Sequence, residues 1–286
     1  MTRIITDSTA DFEPQELERL NVSCIPLTVI FGDKEYQENI SMTKDLFYRL
    51  LESSPHFPRT SQPSPQYLQE LFEEAHAAGD GAVFITISSG LSGTYQSGVM
   101  VQRELGYDNC LVVDSRSGTG GHRLLVEHAV RMRDEGKSAR EIADALEELR
   151  SRVTLYTCMD TLEFLFRGGR ISHTVYKLGS LAHVKPIMTV TQEGKVSIPA
   201  KVLGIRKGIE YLAKIPQQYK PDPAHPLYVM YTDIRTNGEA LAARLRELGH
   251  KILNEQIISV GAAIGTHIGP NACAVVYIRK KAVADI

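Results

Sequence analysis

Apolar runs and amphipathic stretches alternate along the first half of the chain. Ala82 to Ile87 and Cys110 to Val113 are short and rich in apolar residues, which predicts buried strands. Val22 to Phe31 predicts a longer strand interrupted at Pro26. Between such runs, apolar residues recur at helical spacing, and in Thr43 to Ser53 they share one face of a helix. Strands separated by helices predict an α/β fold with a mostly parallel sheet flanked by helices.

The second half of the chain has a different pattern. Pro186 to Thr191 and Lys195 to Pro199 are strand-like runs joined by a turn that contains glycine, which predicts a hairpin. His173 to Ala182 is predicted to be a helix. Because hairpin and helices mix here, we expect two domains. An N-terminal α/β domain would span 1–152, and a C-terminal α+β domain with a mixed or antiparallel sheet would span 153–286.

The composition of the chain argues against some classes of function but does not identify the function. The chain has 286 residues, a net charge of -2 and an isoelectric point near 6.5, which gives no electrostatic basis for binding nucleic acid. The four cysteines are far apart and the nine histidines show no metal-ligand spacing, so no metal site is expected. The amino terminus does not have the pattern of a signal peptide, and we therefore expect a cytoplasmic protein.

A hydroxyl-rich loop is the most informative local feature. Ser88-Ser-Gly-Leu-Ser-Gly-Thr94 follows an apolar strand and precedes a helical pattern. Backbone N–H groups, hydroxyls and the positive end of a helix dipole would converge there, which favours a carboxylate or phosphate. Gly93 would let a ligand approach the backbone closely. The same residues also suit an ordinary polar turn between a strand and a helix.

Three other segments are candidates for the same site. Arg59-Thr-Ser-Gln-Pro-Ser-Pro65 is a second hydroxyl cluster, which could equally be a loop and a helix cap. His267 is bracketed by Gly265 and by Gly269-Pro270, which predicts a constrained loop. Phe166-Arg-Gly-Gly-Arg-Ile-Ser172 could present guanidinium groups to a phosphate or could simply end a helix.

Two further classes of function remain open on the residues alone. Ser92, Asp114 and His267 occur in the chain order of an α/β-hydrolase triad, which would make the protein a serine esterase or lipase. However, the residues around Ser92 lack the second glycine of the G-x-S-x-G pattern at its required offset. A regulator that binds small phosphorylated metabolites is the other alternative. Neither a dinucleotide-binding fingerprint nor a P-loop lysine motif is found.

Taken together, several short segments resemble the DegV family of bacterial fatty-acid-binding proteins. The resemblance implies a two-domain α/β protein with one long-chain fatty acid buried between the domains. It also implies a non-catalytic carrier subunit for a fatty acid kinase, which phosphorylates the presented carboxylate to an acyl phosphate for phospholipid synthesis. The matching segments are Ile5-Thr-Asp-Ser-Thr9, Ile25-Pro-Leu27, Thr60-Ser-Gln-Pro-Ser64, Ile87-Ser-Ser-Gly-Leu-Ser-Gly-Thr-Tyr-Gln-Ser97, Val113-Asp-Ser115, Arg167-Gly-Gly-Arg-Ile-Ser172, Val184-Lys-Pro-Ile187 and Gly265-Thr-His-Ile-Gly-Pro270.

The resemblance also assigns roles to individual residues. Thr60 and Ser92 would hold the carboxylate with their hydroxyls, the N–H of Gly93 would lie beside them, and His267 would complete the hydrogen-bond network. Arg170 would face the entrance, near the phosphate or the kinase. No cofactor or metal is implied, and the expected partners are the fatty acid, the kinase catalytic subunit and, transiently, a membrane. One departure concerns a basic residue expected in some members after Lys201-Val202, where this chain has leucine; Lys201 itself and Arg206 are the substitutes.

Overall fold

The first half of the chain forms two sheets. The structure is a computed structural model that describes residues 1–179 and 183–281. The elements of this half are β1 (Thr2–Asp7), α1 (Pro14–Leu20), β2 (Val22–Ile25), β3 (Thr28–Phe31), β4 (Lys34–Gln37), α2 (Lys44–Ser53), β5 (Arg59–Ser61), α3 (Pro65–Ala77), β6 (Gly81–Thr86), α4 (Thr94–Leu105), β7 (Cys110–Asp114), α5 (Thr119–Asp134) and α6 (Ala139–Leu149).

Four parallel strands make the larger sheet of this half, in the order β2-β1-β6-β7. Successive residues of β1 point to opposite faces, as the period of a strand requires. Ile4 packs in a core with residues of α5 and α6, and Ile5 packs in a second core with residues of α3 and α4. Both faces are therefore covered by helices. The predicted parallel sheet flanked by helices is confirmed.

A small antiparallel sheet was not predicted. Its order is β4-β3-β5, and Val29 on β3 pairs with Thr60 on β5. The strand-like run predicted from Val22 to Phe31 is present and is interrupted at Pro26 as expected, but its two parts belong to different sheets, because β3 leaves the parallel sheet and joins this second one. Thr60 therefore lies on a strand, which fixes the direction of its side chain better than a loop would.

The second half contains one mixed sheet of six strands in the order β10-β9-β8-β13-β11-β12. Every pair in it is antiparallel except β11 with β12. Its elements are β8 (Val153–Cys158), α7 (Glu163–Arg167), α8 (His173–Gly179), β9 (Val184–Val190), β10 (Val196–Leu203), α9 (Gly204–Gln218), β11 (Tyr228–Tyr231), α10 (Thr236–Glu247), β12 (Ile257–Ser259), α11 (Ala262–Ile268) and β13 (Cys273–Ile278).

The two faces of this sheet have different neighbours. Residues of α9 and α10 pack on one face, whereas Leu155, Met230 and Ala274 on the other share a core with the first half of the chain. The predicted hairpin is confirmed as β9 and β10. The helix predicted from 173 to 182 is present as far as Gly179, and 180–182 lie outside the described residues. The domain boundary after residue 152 stays a prediction.

The segment around His267 forms a helix, α11, so the prediction of a constrained loop is wrong. Gly265 is needed for packing inside this helix, because a Cβ there would lie 2.7 Å from Cε1 of Phe47. Gly269 ends the helix with a φ of +76°, a conformation that glycine adopts without strain. The absence of a side chain at Gly265 therefore lets α11 pack closely against Phe47 of α2. None of the described helices has the length and apolar content needed to cross a bilayer.

Candidate functional site

A cavity of about 380 Å³ lies between the six-stranded sheet and the loops that follow the parallel strands β1, β6 and β7. Its floor is a row of four residues in register on adjacent strands: Met188, Thr157, Ala274 and Met230. Aliphatic side chains from both halves of the chain complete most of the lining. Ligands commonly bind at the carboxyl ends of parallel strands, and a concave, mainly apolar lining suits an apolar ligand.

One wall of the cavity contains a paired hydroxyl and imidazole. Thr60 Oγ1 lies 2.9 Å from His267 Nε2, although the two residues are 207 positions apart in the chain. The other ring nitrogen, Nδ1, is buried and has no hydrogen-bond partner among the described residues. With the proton on Nε2, the ring donates to Thr60, whose own hydroxyl proton is then available to an oxygen of a ligand.

Burial keeps the imidazole neutral. Burial, with a smaller contribution from the positive charge of Arg170, lowers the pKa of His267 to about 3. Near neutral pH the Thr60–His267 pair therefore offers hydrogen bonds and no charge. A carboxylate on this wall would be held by neutral groups.

We expect the His267 ring to show no titration between pH 4.5 and 8, because its folded-state pKa lies below this range. The measurement is the pH dependence of the His267 ring resonances by NMR. A midpoint near the ordinary imidazole value of about 6.5 for His267 would contradict the expectation. Because His267 binds a proton more weakly in the folded state than in the unfolded state, the protein should lose stability as the pH falls below the pKa of an unfolded histidine.

Ser92 and Gly93 line the cavity from the start of α4, where Gly93 is the residue that precedes the first turn. Ser92 Oγ lies 2.9 Å from Thr94 Oγ1 and also accepts from the Thr94 backbone N–H at 3.4 Å. A Cβ on Gly93 would lie 2.6 Å from Oε1 of Gln62, so a larger residue there would displace the end of the Gln62 side chain. Gln62 also lines the cavity, and sequence reasoning had not singled it out.

The other two serines of the hydroxyl-rich loop have structural partners instead. Ser88 Oγ donates to the carbonyl of Gly194 at 2.7 Å, in the turn between β9 and β10. Ser89 Oγ donates to the carboxylate of Asp114 at 2.5 Å. Neither lines the cavity. The serines of this loop therefore have two different roles: Ser88 and Ser89 hold the loop in place, and Ser92 lines the cavity.

Arg170 lines the same cavity and connects the two halves of the chain across it. Its Nε donates to the carbonyl of Leu91 at 3.0 Å, and its Nη1 donates to the carbonyl of Gly168. Burial lowers the pKa of the guanidinium from its usual range. Among the described residues no carboxylate forms an ion pair with it. The site therefore contains one positive charge whose counterion could be a ligand.

Ser92, His267 and Asp114, the residues of the hydrolase alternative, form hydrogen bonds to other residues of the described structure and not to one another. Ser92 pairs with Thr94, and His267 pairs with Thr60. Asp114 accepts from the side chain and backbone of Ser89 and from a neighbouring backbone N–H. No hydrogen bond in the described structure links any two of the three.

Gly168 is a second residue that sequence reasoning missed. It lies at the end of α7, and a Cβ there would overlap His267 Nδ1. Only the absence of a side chain lets α7 approach the imidazole so closely. No sequence signal distinguishes this requirement from that of an ordinary helix C-cap glycine, which is what the Gly168-Gly169 pair suggests.

A buried pair of carboxyl groups supports α11 from behind. Asp11 Oδ1 accepts from the Gly261 N–H at 2.9 Å, and Glu38 Oε1 accepts from the Ala263 N–H at 3.0 Å. Both carboxyls are almost fully buried. Burial raises the pKa of Asp11 to about 6, and burial together with the charge of Asp11 raises the pKa of Glu38 to about 7. These groups position the helix that contains His267, and neither was predicted.

The site combines a mainly apolar cavity with a few neutral donors and one cation on its wall, and these features suit a small amphipathic ligand. A family model described as DegV family, with members of uncharacterised function, matches residues 1–280. The chain belongs to the DegV family. This family membership agrees with the resemblance seen in the sequence motifs.

Relatives and solved structures extend the likeness over nearly the whole chain. A DegV domain-containing protein from Caldanaerobacter subterraneus is 32% identical over 281 residues, which covers 97% of this chain and 98% of the relative. A fatty-acid-binding DegV family protein from Thermus thermophilus is 29% identical with a TM-score of 0.86 and covers 98% of this chain and 99% of its own. DegV from Bacillus subtilis, a fatty acid binding protein, is 28% identical with a TM-score of 0.82 and the same coverage.

Proposed function

We propose that this protein binds a long-chain fatty acid in the cavity and presents its carboxylate to the catalytic subunit of a fatty acid kinase. The main observation in support is the Thr60–His267 pair on the wall of an otherwise largely apolar cavity. In this proposal Thr60, Ser92 and the N–H of Gly93 hold the carboxylate, and His267 orients Thr60. The fatty acid binding described for the relatives from T. thermophilus and B. subtilis supports the choice of ligand.

The energetics of such a ligand fit a carboxylate that is held mainly by the neutral donors around Thr60 and Ser92. Each buried methylene contributes about 0.8 kcal/mol, so the alkyl chain supplies most of the affinity. Neutral hydroxyls and backbone N–H groups can then orient the carboxylate at modest desolvation cost. A loosely held head group also stays available for phosphoryl transfer.

Arg170 is proposed to face the incoming phosphoryl group or the kinase. Its guanidinium retains donors beyond the two that bond Leu91 and Gly168, and it has no acidic partner among the described residues. In this proposal the nucleotide and its metal ion belong to the kinase, and the chain itself is a non-catalytic carrier in the cytoplasm. The acyl phosphate would serve phospholipid synthesis, with transient contact to a membrane.

The direct test is to purify the protein from bacteria under mild conditions and analyse bound lipid by native mass spectrometry. We expect one long-chain fatty acid per chain, and rebinding of one equivalent after delipidation. If the purified protein contains no fatty acid and binds none on titration, the proposed function is wrong.

We expect Thr60→Val and Ser92→Ala to lower kinase-dependent formation of acyl phosphate by about tenfold while the fold persists, because each removes a hydrogen bond to a charged group. Thr60→Val also leaves both nitrogens of His267 without a partner. The matched control is Thr236→Val on the exposed surface of α10, which should not change the rate. Wild-type rates in both site variants would remove these hydroxyls from the proposed site.

The esterase alternative has a separate test. Labelling of Ser92 by a fluorophosphonate, together with turnover of acyl esters by the protein alone, would replace the carrier proposal. Preference for small phosphorylated metabolites over fatty acids would instead favour a phosphate-binding regulator.

A further inference from the structure

The floor of the cavity contains one hydroxyl group among apolar neighbours. Thr157 lies in register between Met188 on β9 and Ala274 on β13 and lines the cavity. The residues on either side of it in the strand, Tyr156 and Cys158, pack in the core on the opposite face of the sheet. Because successive side chains of a strand alternate between its faces, the Thr157 side chain points into the cavity. It is buried, with 5% of its surface accessible.

The Thr157 hydroxyl has no hydrogen-bond partner among the described residues, and it differs in this from the other threonines of the lining. Each of those has a side-chain hydrogen bond: Thr9 with Asp7, Thr60 with His267, Thr119 with Asp11 and Thr232 with the N–H of Ala272. A buried hydroxyl without a partner lowers stability, whereas valine has nearly the same shape and no such cost. A ligand that supplies the missing partner would account for a threonine at this position.

We propose that Thr157 forms a hydrogen bond with a hydroxyl group on the alkyl chain of the ligand, so that the cavity accepts a hydroxylated long-chain fatty acid at least as well as the unsubstituted chain. This inference rests on the proposed function, because it specifies the fatty acid that the cavity holds. A threonine hydroxyl can both donate and accept, so it can pair with a ligand hydroxyl in either direction. A site that pairs with a hydroxyl discriminates against the analogue that lacks it, because its own buried polar group is then left unpaired.

The position of Thr157 makes this contact separate from those proposed for the carboxylate. Thr60 on β5 and Ser92 before α4 belong to the first half of the chain, whereas Thr157 lies on the six-stranded sheet of the second half. A hydroxylated chain would therefore form polar contacts with both halves, which fixes how far it enters the cavity. The neighbours of Thr157 can accommodate an added oxygen, because Met188 has a flexible unbranched side chain and Ala274 a small one.

The test measures the dissociation constants of the delipidated protein for stearate and for a series of hydroxystearates in which the hydroxyl is moved along the chain. We expect at least one hydroxystearate to bind the wild type as tightly as stearate or more tightly. Thr157→Val should weaken binding of that hydroxystearate by about tenfold, because the ligand hydroxyl loses its partner. The same variant should bind stearate as tightly as the wild type or more tightly, because valine has no hydroxyl to leave unpaired.

Two further variants serve as controls for this test. Thr157→Ser retains the hydroxyl and should retain the wild-type ratio of the two dissociation constants. Thr154→Val changes a buried threonine of the same strand that does not line the cavity, and it should leave the ratio unchanged.

The proposal is wrong if every hydroxystearate binds the wild type more weakly than stearate, or if Thr157→Val changes the affinities for both ligands equally. A crystal structure of the complex should place the ligand hydroxyl within hydrogen-bond distance of Thr157 Oγ1. A water molecule bonded to Thr157, with the ligand hydroxyl elsewhere, would also overturn the proposal. These failures differ from failure of the proposed function, in which the protein would bind neither stearate nor its hydroxy derivatives.

Discussion

Gly168→Ala is expected to lower the affinity for a long-chain fatty acid by about tenfold or more, which corresponds to about 1.4 kcal/mol. The new methyl group would overlap Nδ1 of His267, and the ring would have to move away from Thr60. Crowding of a packed interior also costs about 1–3 kcal/mol of stability, so a lower melting temperature should accompany the weaker binding. The measurements are titration with a fatty acid and thermal unfolding of the delipidated protein.

A double-mutant cycle separates this mechanism from general damage to α7. In a His267→Ala background the added methyl group has no ring to displace, so Gly168→Ala should then change fatty acid affinity by less than twofold. Equal effects in the two backgrounds would mean that the glycine acts independently of His267. Unchanged binding by Gly168→Ala alone would contradict the close approach itself.

Glu38→Gln is expected to make the protein more stable relative to wild type as the pH rises from 5 to 8. Burial and the neighbouring charge of Asp11 raise the pKa of Glu38 to about 7 in the folded state. A carboxyl with a raised folded-state pKa binds its proton more tightly when folded, so its favourable contribution is complete below the unfolded pKa and is lost as the pH rises to about 7. A tenfold difference in proton affinity between the folded and unfolded states corresponds to about 1.4 kcal/mol of stability.

The glutamine preserves the interaction that holds α11. Its side-chain oxygen can still accept from the Ala263 N–H, whereas its neutral amide cannot repel Asp11. The measurement is the free energy of unfolding by urea at several pH values, and Glu35→Gln on β4 is an exposed control. A difference between Glu38→Gln and wild type that does not vary with pH would show that Glu38 does not change its charge in this range.

Local patterns were sufficient for much of the fold. The apolar runs that became β6 and β7 and the amphipathic stretch that became α2 each encode their structure within a few residues. The short strands β4 and β5 have little apolar periodicity of their own, and only their pairing with β3 makes them strands. Tertiary pairing of this kind leaves no local signal.

The candidate site likewise contains residues that the sequence predicted and residues that only the structure shows. The motif resemblance named Thr60, Ser92 and His267, and the structure brings all three to one cavity. Pattern alone placed His267 on a loop, because its flanking glycines are typical of turns, whereas here they mark positions where α11 packs closely. The role of Glu38 could not be inferred, because its backbone partner lies 225 positions away and contributes an amide rather than a recognisable side chain.

The turn between β9 and β10 has a consequence for the exchange of segments between relatives. Its Gly194 accepts from Ser88 and lies against Gly90, where an added methyl group would come within 2.5 Å of the Gly194 carbonyl oxygen. The loop that begins at Ser88 is thus shaped by residues a hundred positions downstream. Chimeras that join the amino-terminal half of one homologue to the carboxy-terminal half of another should fold only when Ser88, Gly90 and Gly194 come from compatible sequences. The residues at these three positions should therefore covary among homologues.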